Sequence, residues 1–148
     1  MDVSSLADMR TRVEAARIAR LATTDPDGRS NLVPICFVVE GDVLYSAVDE
    51  KPKRTKRLRR LANIRARPAV TVLVDRYEED WSRLWWVRLR GEARVVEGGP
   101  ERTRALSLLK GKYEQYRRER PTGAVIAVRV QEWRGWSAAA GSDEGGLG

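Results

Sequence analysis

The chain has 148 residues, 42% of them hydrophobic, and a net charge of +7, which suits one domain with its own core. Its single cysteine excludes an intramolecular disulfide framework, and the absence of histidine excludes Ser-His and Cys-His dyads and most zinc and haem sites. We therefore expect neither a metal site nor a catalytic side chain, and any difficult chemistry should come from a bound organic cofactor.

The first third of the sequence predicts one helix and three strands. Residues 2–16 have apolar residues at helical spacing, and residues 17–24 alternate as a strand. The turn "DPDG" leads into a second strand over residues 30–40, and "EGD" leads into a third over residues 43–48. Pro34 lacks an N–H, so the second strand should have an edge, a bulge or a ligand at that point.

The later elements follow a basic segment described below. Residues 69–75 form a strand rich in β-branched side chains, and residues 85–96 form a long strand that places alternate side chains on opposite faces. A helix with Pro100 in its first turn comes next, and residues 124–130 form the last strand.

These elements predict a mainly β protein with helices (α+β), built as a six-stranded antiparallel barrel. Tight turns join most strands, whereas a doubly wound sheet would alternate strand and helix. We expect a single domain over residues 1–137 and a flexible tail over residues 138–148, which are rich in Gly and Ala. Residues 1–20 lack a signal-peptide core and no stretch resembles a membrane span, so we expect a cytoplasmic protein without membrane contact.

Residues 51–68 contain nine Lys or Arg residues and no acid, whereas the remaining residues carry 19 bases against 21 acids. Three interpretations are open: a solvated basic helix, a nucleic-acid patch and an anionic cofactor site. The segment is short and has no interleaved aromatic residues, which disfavours a nucleic-acid partner. Cations just before a helix N-terminus are unfavourable unless an anion binds there, which favours the cofactor site.

A helical wheel divides this segment into two faces. Leu58 and Leu61 lie on an apolar stripe, while Lys56, Arg60 and Asn63 lie on the opposite side. Thr55 is the expected N-cap.

In order and spacing, three stretches resemble the split-barrel flavin and deazaflavin superfamily typified by pyridoxamine 5′-phosphate oxidase, with an FMN-binding-like fold. They are "RLATTDPDGRSNLVPICFVVEGDVLYSAVD", "KPKRTKRLRRLANIRARPAVTVLVD" and "YEEDWSRLWWVRLRGEARVV". The combination of K-P-K, R-L-x-N-I-x-x-x-P and D-W-x-x-L-W-W-V-R is similar to an actinobacterial subgroup that uses coenzyme F420, a deazaflavin with a phosphate and a polyglutamate tail.

The resemblance implies a homodimer with the cofactor in a groove at the interface. It implies that basic residues after the third strand hold the phosphate, that the second strand contacts the ring through its backbone, and that the end of the third strand lines the groove. The residues that match these positions are Lys53, Lys56, Arg57, Arg60, Asn31, Leu32, Val33, Pro34, Tyr45, Ser46 and Ala47.

The implied activity is an F420-dependent oxidoreductase that transfers a hydride between the deazaflavin C5 and a small conjugated substrate. Two alternatives remain: an FMN-dependent oxidoreductase with the same groove, and a non-catalytic carrier of F420. The chain reads "NLVPIC" where pyridoxamine oxidase has an Arg-x-x-Leu-Leu-Lys strand, so oxidation of vitamin B6 is not expected.

Overall fold

The computed structural model describes residues 5–48 and 54–140, with the side chains of residues 54–58 and 140 outside the description. The helices are α1 (Leu6–Ala15), α2 (Arg54–Ala66), α3 (Gly99–Lys112) and α4 (Glu114–Arg118), with short 3₁₀ turns at Trp81–Arg83 and Ala138–Ala140. The strands are β1 (Ala19–Thr24), β2 (Ser30–Ile35), β3 (Val38–Glu40), β4 (Val43–Ala47), β5 (Ala69–Arg76), β6 (Trp85–Val96) and β7 (Val125–Ser137). None of the helices in this part of the chain combines the length and apolarity needed to cross a bilayer.

The strands of the described residues form one antiparallel sheet in the order β2-β1-β5-β6-β7-β4-β3. The predicted fold class is therefore confirmed, with seven strands in place of six. The extra strand arises because the predicted second strand breaks at Cys36 and Phe37. The Phe37 N–H donates to the Tyr113 hydroxyl at 3.0 Å, so a side chain from the end of α3 replaces a strand neighbour there.

The last strand is longer than its sequence predicts. The prediction ended it at residue 130, but β7 continues to Ser137, which pairs with Trp85 of β6. The predicted tail begins inside the described region with the 3₁₀ turn, and residues 141–148 lie outside the described residues, so the domain boundary stays a prediction.

Two apolar clusters pack on opposite faces of the sheet. On one face the main core includes Leu21, Leu44 and Leu89, and on the other Leu106 and Leu109 of α3 pack against the strands. The start of β7 belongs to both clusters: Ile126 and Val128 face the main core, whereas Val125 and Ala127 lie under α3. The continuous apolar run "AVIAV" reflects this burial on both faces.

A bulge interrupts the β6–β7 ladder between Arg90 and Gly91. A Cβ atom at Gly91 would collide with the backbone carbonyl of Arg129 on β7. Because backbone cannot move aside as a flexible side chain can, this position requires glycine for close approach of two strands.

Gly91→Ala should lower the free energy of unfolding by about 1–3 kcal/mol or more, because the added methyl group forces β6 and β7 apart. Urea unfolding followed by circular dichroism measures the change. Gly111→Ala is the matched control: no atom lies within 4 Å of its added Cβ, so it should leave stability unchanged or raise it. Equal stability of the two variants would contradict the close approach at Gly91.

Candidate functional site

The basic helix α2 packs beside the turn that joins β1 to β2. Leu61 and Ile64 enter the main core, and Asn63 is only 2% exposed. The Asn63 Nδ2 lies 3.5 Å from the Thr23 hydroxyl, its hydrogen-bond acceptor, and Thr23 is paired with Asn31 of β2. The helix is therefore held next to the start of the second strand.

Two expectations for this helix are corrected. The helical wheel predicts Asn63 on the exposed side with Lys56 and Arg60, but Asn63 is buried. It lies beside Leu61 and Ile64, which are buried too. A helical wheel does not show this burial, because it depends on the Thr23 hydroxyl, a polar partner that β1 places at the edge of the apolar contact. Arg54 is already part of the helix, so Thr55 lies inside it and is not its N-cap.

The C-terminal half of α2 makes polar contacts that fix it to neighbouring elements. Arg67, the residue directly after the helix, donates to the Pro26 carbonyl at 3.2 Å. Arg65 donates to Glu97 at 2.6 Å, and this exposed pair joins the helix to the connection after β6. Arg65 and Arg67 therefore both donate to acceptors in the chain itself.

Arg59 remains exposed near the acidic turn between β1 and β2. A hydrogen bond between Asp25 and Asp27 lowers the pKa of Asp27 and raises the pKa of Asp25, and the Arg59 charge adds to the lowering at Asp27. The cationic helix therefore faces solvent at the same end of the sheet as the start of β2.

Strand β2 is an edge strand, because β1 is its only neighbour within the described part of the chain. Leu32 is 64% exposed and Pro34 is also exposed, whereas Asn31 and Val33 are half-buried. Pro34 thus lies at a sheet edge, as its missing N–H requires. The outer side of β2 offers backbone N–H and C=O groups without a strand partner among the described residues.

The predicted groove residues of the third strand lie elsewhere in the sheet. Four strands separate β4 from β2 in the sheet order. Tyr45 is buried and packs with Ala47 in the α3 cluster, while Ser46 on the opposite face is 2% exposed. Pairing within this sheet therefore does not bring Tyr45, Ser46 and Ala47 together with β2, and their contact with a cofactor stays a prediction.

The four predicted phosphate-binding cations are only partly covered by the structure. Lys53 lies outside the described residues, and Lys56 and Arg57 lie within α2 with side chains outside the description. Arg60 is half-buried in the same helix. Their role in binding an anion stays a prediction.

The Tyr45 hydroxyl belongs to a polar triad that sequence reasoning missed. It donates to Glu101 at 2.9 Å, and Arg94 donates two hydrogen bonds to the same carboxylate, each at 2.7 Å. The hydrogen bonds from Arg94 are the main cause that lowers the pKa of Glu101 to about 2. The position of Glu101 in the first turn of a helix was the available signal, since acids are favoured there.

Two exposed leucines, together called the apolar strip, lie on the face of the sheet away from the main core. Leu32 of β2 is paired with Ala22, and Leu73 of β5, 36% exposed, is paired with Arg20. An ion pair of 2.9 Å between Arg20 and Asp75 lies within this strip. Exposed apolar patches of this kind commonly mark an interface or a ligand groove.

The family model described as pyridoxamine 5′-phosphate oxidase matches residues 6–137. The chain belongs to this family. A sequence search among curated proteins gave no match.

Several solved structures share the fold of this chain. A conserved hypothetical protein from Mycobacterium tuberculosis superposes with a TM-score of 0.77 at 20% identity, over 99% of this chain and 94% of that one. An F420 reductase has a TM-score of 0.63 at 25% identity, over 84% and 94%. An FAD-binding protein from Mycobacterium smegmatis has a TM-score of 0.59 at 18% identity, over 91% and 97%.

Glu101→Gln should lower the free energy of unfolding at pH 7 by about 1 kcal/mol, a modest value because the carboxylate is partly screened by solvent. The folded state lowers the pKa of Glu101 from 4.5 to about 2. Its contribution is complete above pH 4.5 and disappears as the pH falls through the folded-state value. The difference from wild type should therefore shrink between pH 5 and pH 3.

Urea unfolding at pH 7 and at pH 3 measures the difference in the free energy of unfolding between Glu101→Gln and wild type. Glu92→Gln is the control, because Glu92 lies 3.7 Å from Arg129 in a looser pair and should show little change at either pH. A Glu101→Gln deficit that stays constant from pH 7 to pH 3 would contradict the role of the carboxylate charge.

Proposed function

We propose that this protein is an F420-dependent oxidoreductase that acts as a homodimer. The observation that carries the proposal is the placement of a strongly basic helix, α2, against the β1–β2 turn, at the end where the edge strand β2 begins. An anionic group would bind at the helix and a flat ring along the strand edge. The similarity to an F420 reductase over 84% of the chain supports this choice.

The residues present fit such a cofactor. The edge of β2 over Asn31–Pro34 offers backbone donors and acceptors, which suit the hydrogen-bonding edge of a flavin-like ring. Lys53 and Lys56 would hold the phosphate, with Arg57 and Arg60 beside them. Arg59 is an exposed cation in the same helix and would suit the glutamates of the F420 tail, which FMN lacks.

The chemistry fits a chain without histidine. Bound F420 supplies hydride transfer at its C5 carbon. The protein would bind and orient the cofactor and the substrate and exclude water, which requires no side chain with a pKa near neutrality. A proton needed by the reduced substrate would come from solvent.

A second candidate is FMN or FAD in the same groove. The observation that favours it is the shared fold of an FAD-binding protein, although at 18% identity that likeness concerns the fold alone. The phosphate-binding cations would serve either cofactor, whereas the additional arginines of α2 favour F420. A carrier of F420 without catalysis is the non-enzymatic candidate.

The apolar strip on the open face of the sheet is the surface we assign to the second subunit. A partner that covered Leu32 and Leu73 would remove exposed apolar surface from water and enclose the edge of β2. The Arg20–Asp75 ion pair would lie within that contact. The cofactor would then be bound between two copies of the chain.

Purified protein titrated with F420, FMN and duplex DNA tests the cofactor. F420 should bind with micromolar affinity, and Lys53→Ala or Lys56→Ala should weaken it about ten-fold, since each removes a charged contact to phosphate. Arg59→Ala should weaken F420 more than FMN, because only F420 carries a polyglutamate tail. Fluorescence of the deazaflavin provides the measurement.

Lys110→Ala is the matched control, because it removes the same charge from α3 and should leave F420 affinity unchanged. Tight DNA binding without F420 binding would refute the proposal. Turnover of reduced F420 with a panel of conjugated electron acceptors then separates an enzyme from a carrier: binding without any turnover would favour the carrier.

Leu73→Asp should convert the homodimer into monomers, because a carboxylate replaces the apolar contact and its cross-strand neighbour Arg20 is already paired with Asp75. Sedimentation velocity measures the change. Leu6→Asp is the control, since Leu6 is 48% exposed on α1, away from the strip. A wild-type protein that sediments as a monomer, or a Leu73→Asp variant that remains a dimer, would contradict this interface.

A further inference from the structure

A cavity of about 450 Å³ lies between α1, the connection from β5 to β6 and the end of β7. We call it the α1 cavity. Its apolar part is formed by Ala15, Ala16, Leu84, Trp85 and Ala139. Its charged lining consists of Arg12, Arg76, Arg83 and Glu78. The volume is within the range of small-molecule sites, roughly 300–1,000 Å³.

The α1 cavity is remote from helix α2. Trp85 and Ser137 pair at the cavity end of the β6–β7 ladder, whereas Val96 and Val125 pair at the other end. Val125 is also paired with Ala47, the last residue of β4, after which the chain continues to α2. Strand β6 has 12 residues, so the two ends are separated by roughly 36 Å along the strand.

The charges that line the α1 cavity are not balanced. The Nε atoms of Arg76 and Arg83 lie 3.2 Å and 3.4 Å from the same Glu78 oxygen. One carboxylate therefore serves two guanidinium groups, both on largely exposed side chains. The Arg12 guanidinium adds a third positive charge and stacks 5.2 Å above the ring of Trp85. The lining has a net positive charge beside an apolar surface.

A buried hydroxyl adds a polar group to the same wall. Ser137 is 2% exposed and lines the α1 cavity. Its Oγ has no hydrogen-bond partner within the described part of the chain. An unsatisfied buried hydroxyl destabilises the fold, and a ligand acceptor at this wall would satisfy it.

We infer that the α1 cavity binds a small amphipathic anion. Its carboxylate contacts Arg76 and Arg83, and its flat or short apolar body covers Leu84 and Trp85. Binding displaces Glu78 from its place between the two arginines, since both acids require the same guanidinium groups. This site does not depend on the proposed F420 activity, which rests on α2 and the edge of β2.

Benzoate and its neutral analogue benzyl alcohol test the inference by isothermal titration calorimetry on the full chain. Benzoate should bind at least ten-fold more tightly than benzyl alcohol. The double variant Arg76→Ala/Arg83→Ala should abolish this preference. Arg117→Ala/Arg118→Ala removes the same charge from α4 and should preserve it. Equal affinity for the two compounds in the wild type would overturn the proposal.

A second substitution should strengthen benzoate binding, whereas loss of the two arginines should weaken it. Glu78→Gln should tighten benzoate binding about five-fold, because it removes the competing carboxylate. Glu114→Gln changes the net charge equally, from an exposed pair with Arg118, and should leave benzoate affinity unchanged. Weaker binding by Glu78→Gln, or equal tightening by both variants, would overturn the proposal.

Circular dichroism of every variant confirms that it is folded before affinities are compared.

A competition experiment separates this site from the proposed cofactor site. F420 should bind without displacing benzoate. Displacement of benzoate by F420 would assign the α1 cavity to the cofactor and refute a separate site.

Discussion

The burial of the first four residues of β7 on both faces is the constraint on which the rest of the molecule depends. Val125 and Ala127 pack under α3 while Ile126 and Val128 enter the main core, so one strand joins the two apolar clusters. The same strand is paired with β6 on one side and with β4 on the other. The two clusters are therefore linked through alternate side chains of the same four residues.

This arrangement separates two clusters of positive charge in the described residues. Along β6 and β7, one end leads to the connection before α2 and the other to the α1 cavity. Each end gathers positive charge by a different route: a single helix supplies the cations at the first, and three separate elements supply them at the second. Charge density along the sequence therefore reveals the first cluster and conceals the second, whose arginines are far apart in the chain.

How much the sequence predicts depends on whether the interaction is local. The antiparallel class, the position of most strands and the edge placement of Pro34 follow from turns, alternation and the missing N–H, which are local properties. The break at Phe37 depends on Tyr113, 76 residues further along the chain, and no local pattern contains it. The burial of Asn63 likewise depends on a hydroxyl from β1.

The exposed edge of β2 has a further consequence for the behaviour of the chain in solution. An open edge with free backbone groups can pair with the same edge of another molecule and start aggregation. Pro34 cannot donate a hydrogen bond in such a ladder and projects its ring from the strand, so a continuous intermolecular sheet is interrupted there. A small planar molecule needs only a few backbone contacts and is not excluded. Pro34 thus disfavours pairing with another strand without blocking the few contacts that the proposed cofactor ring needs.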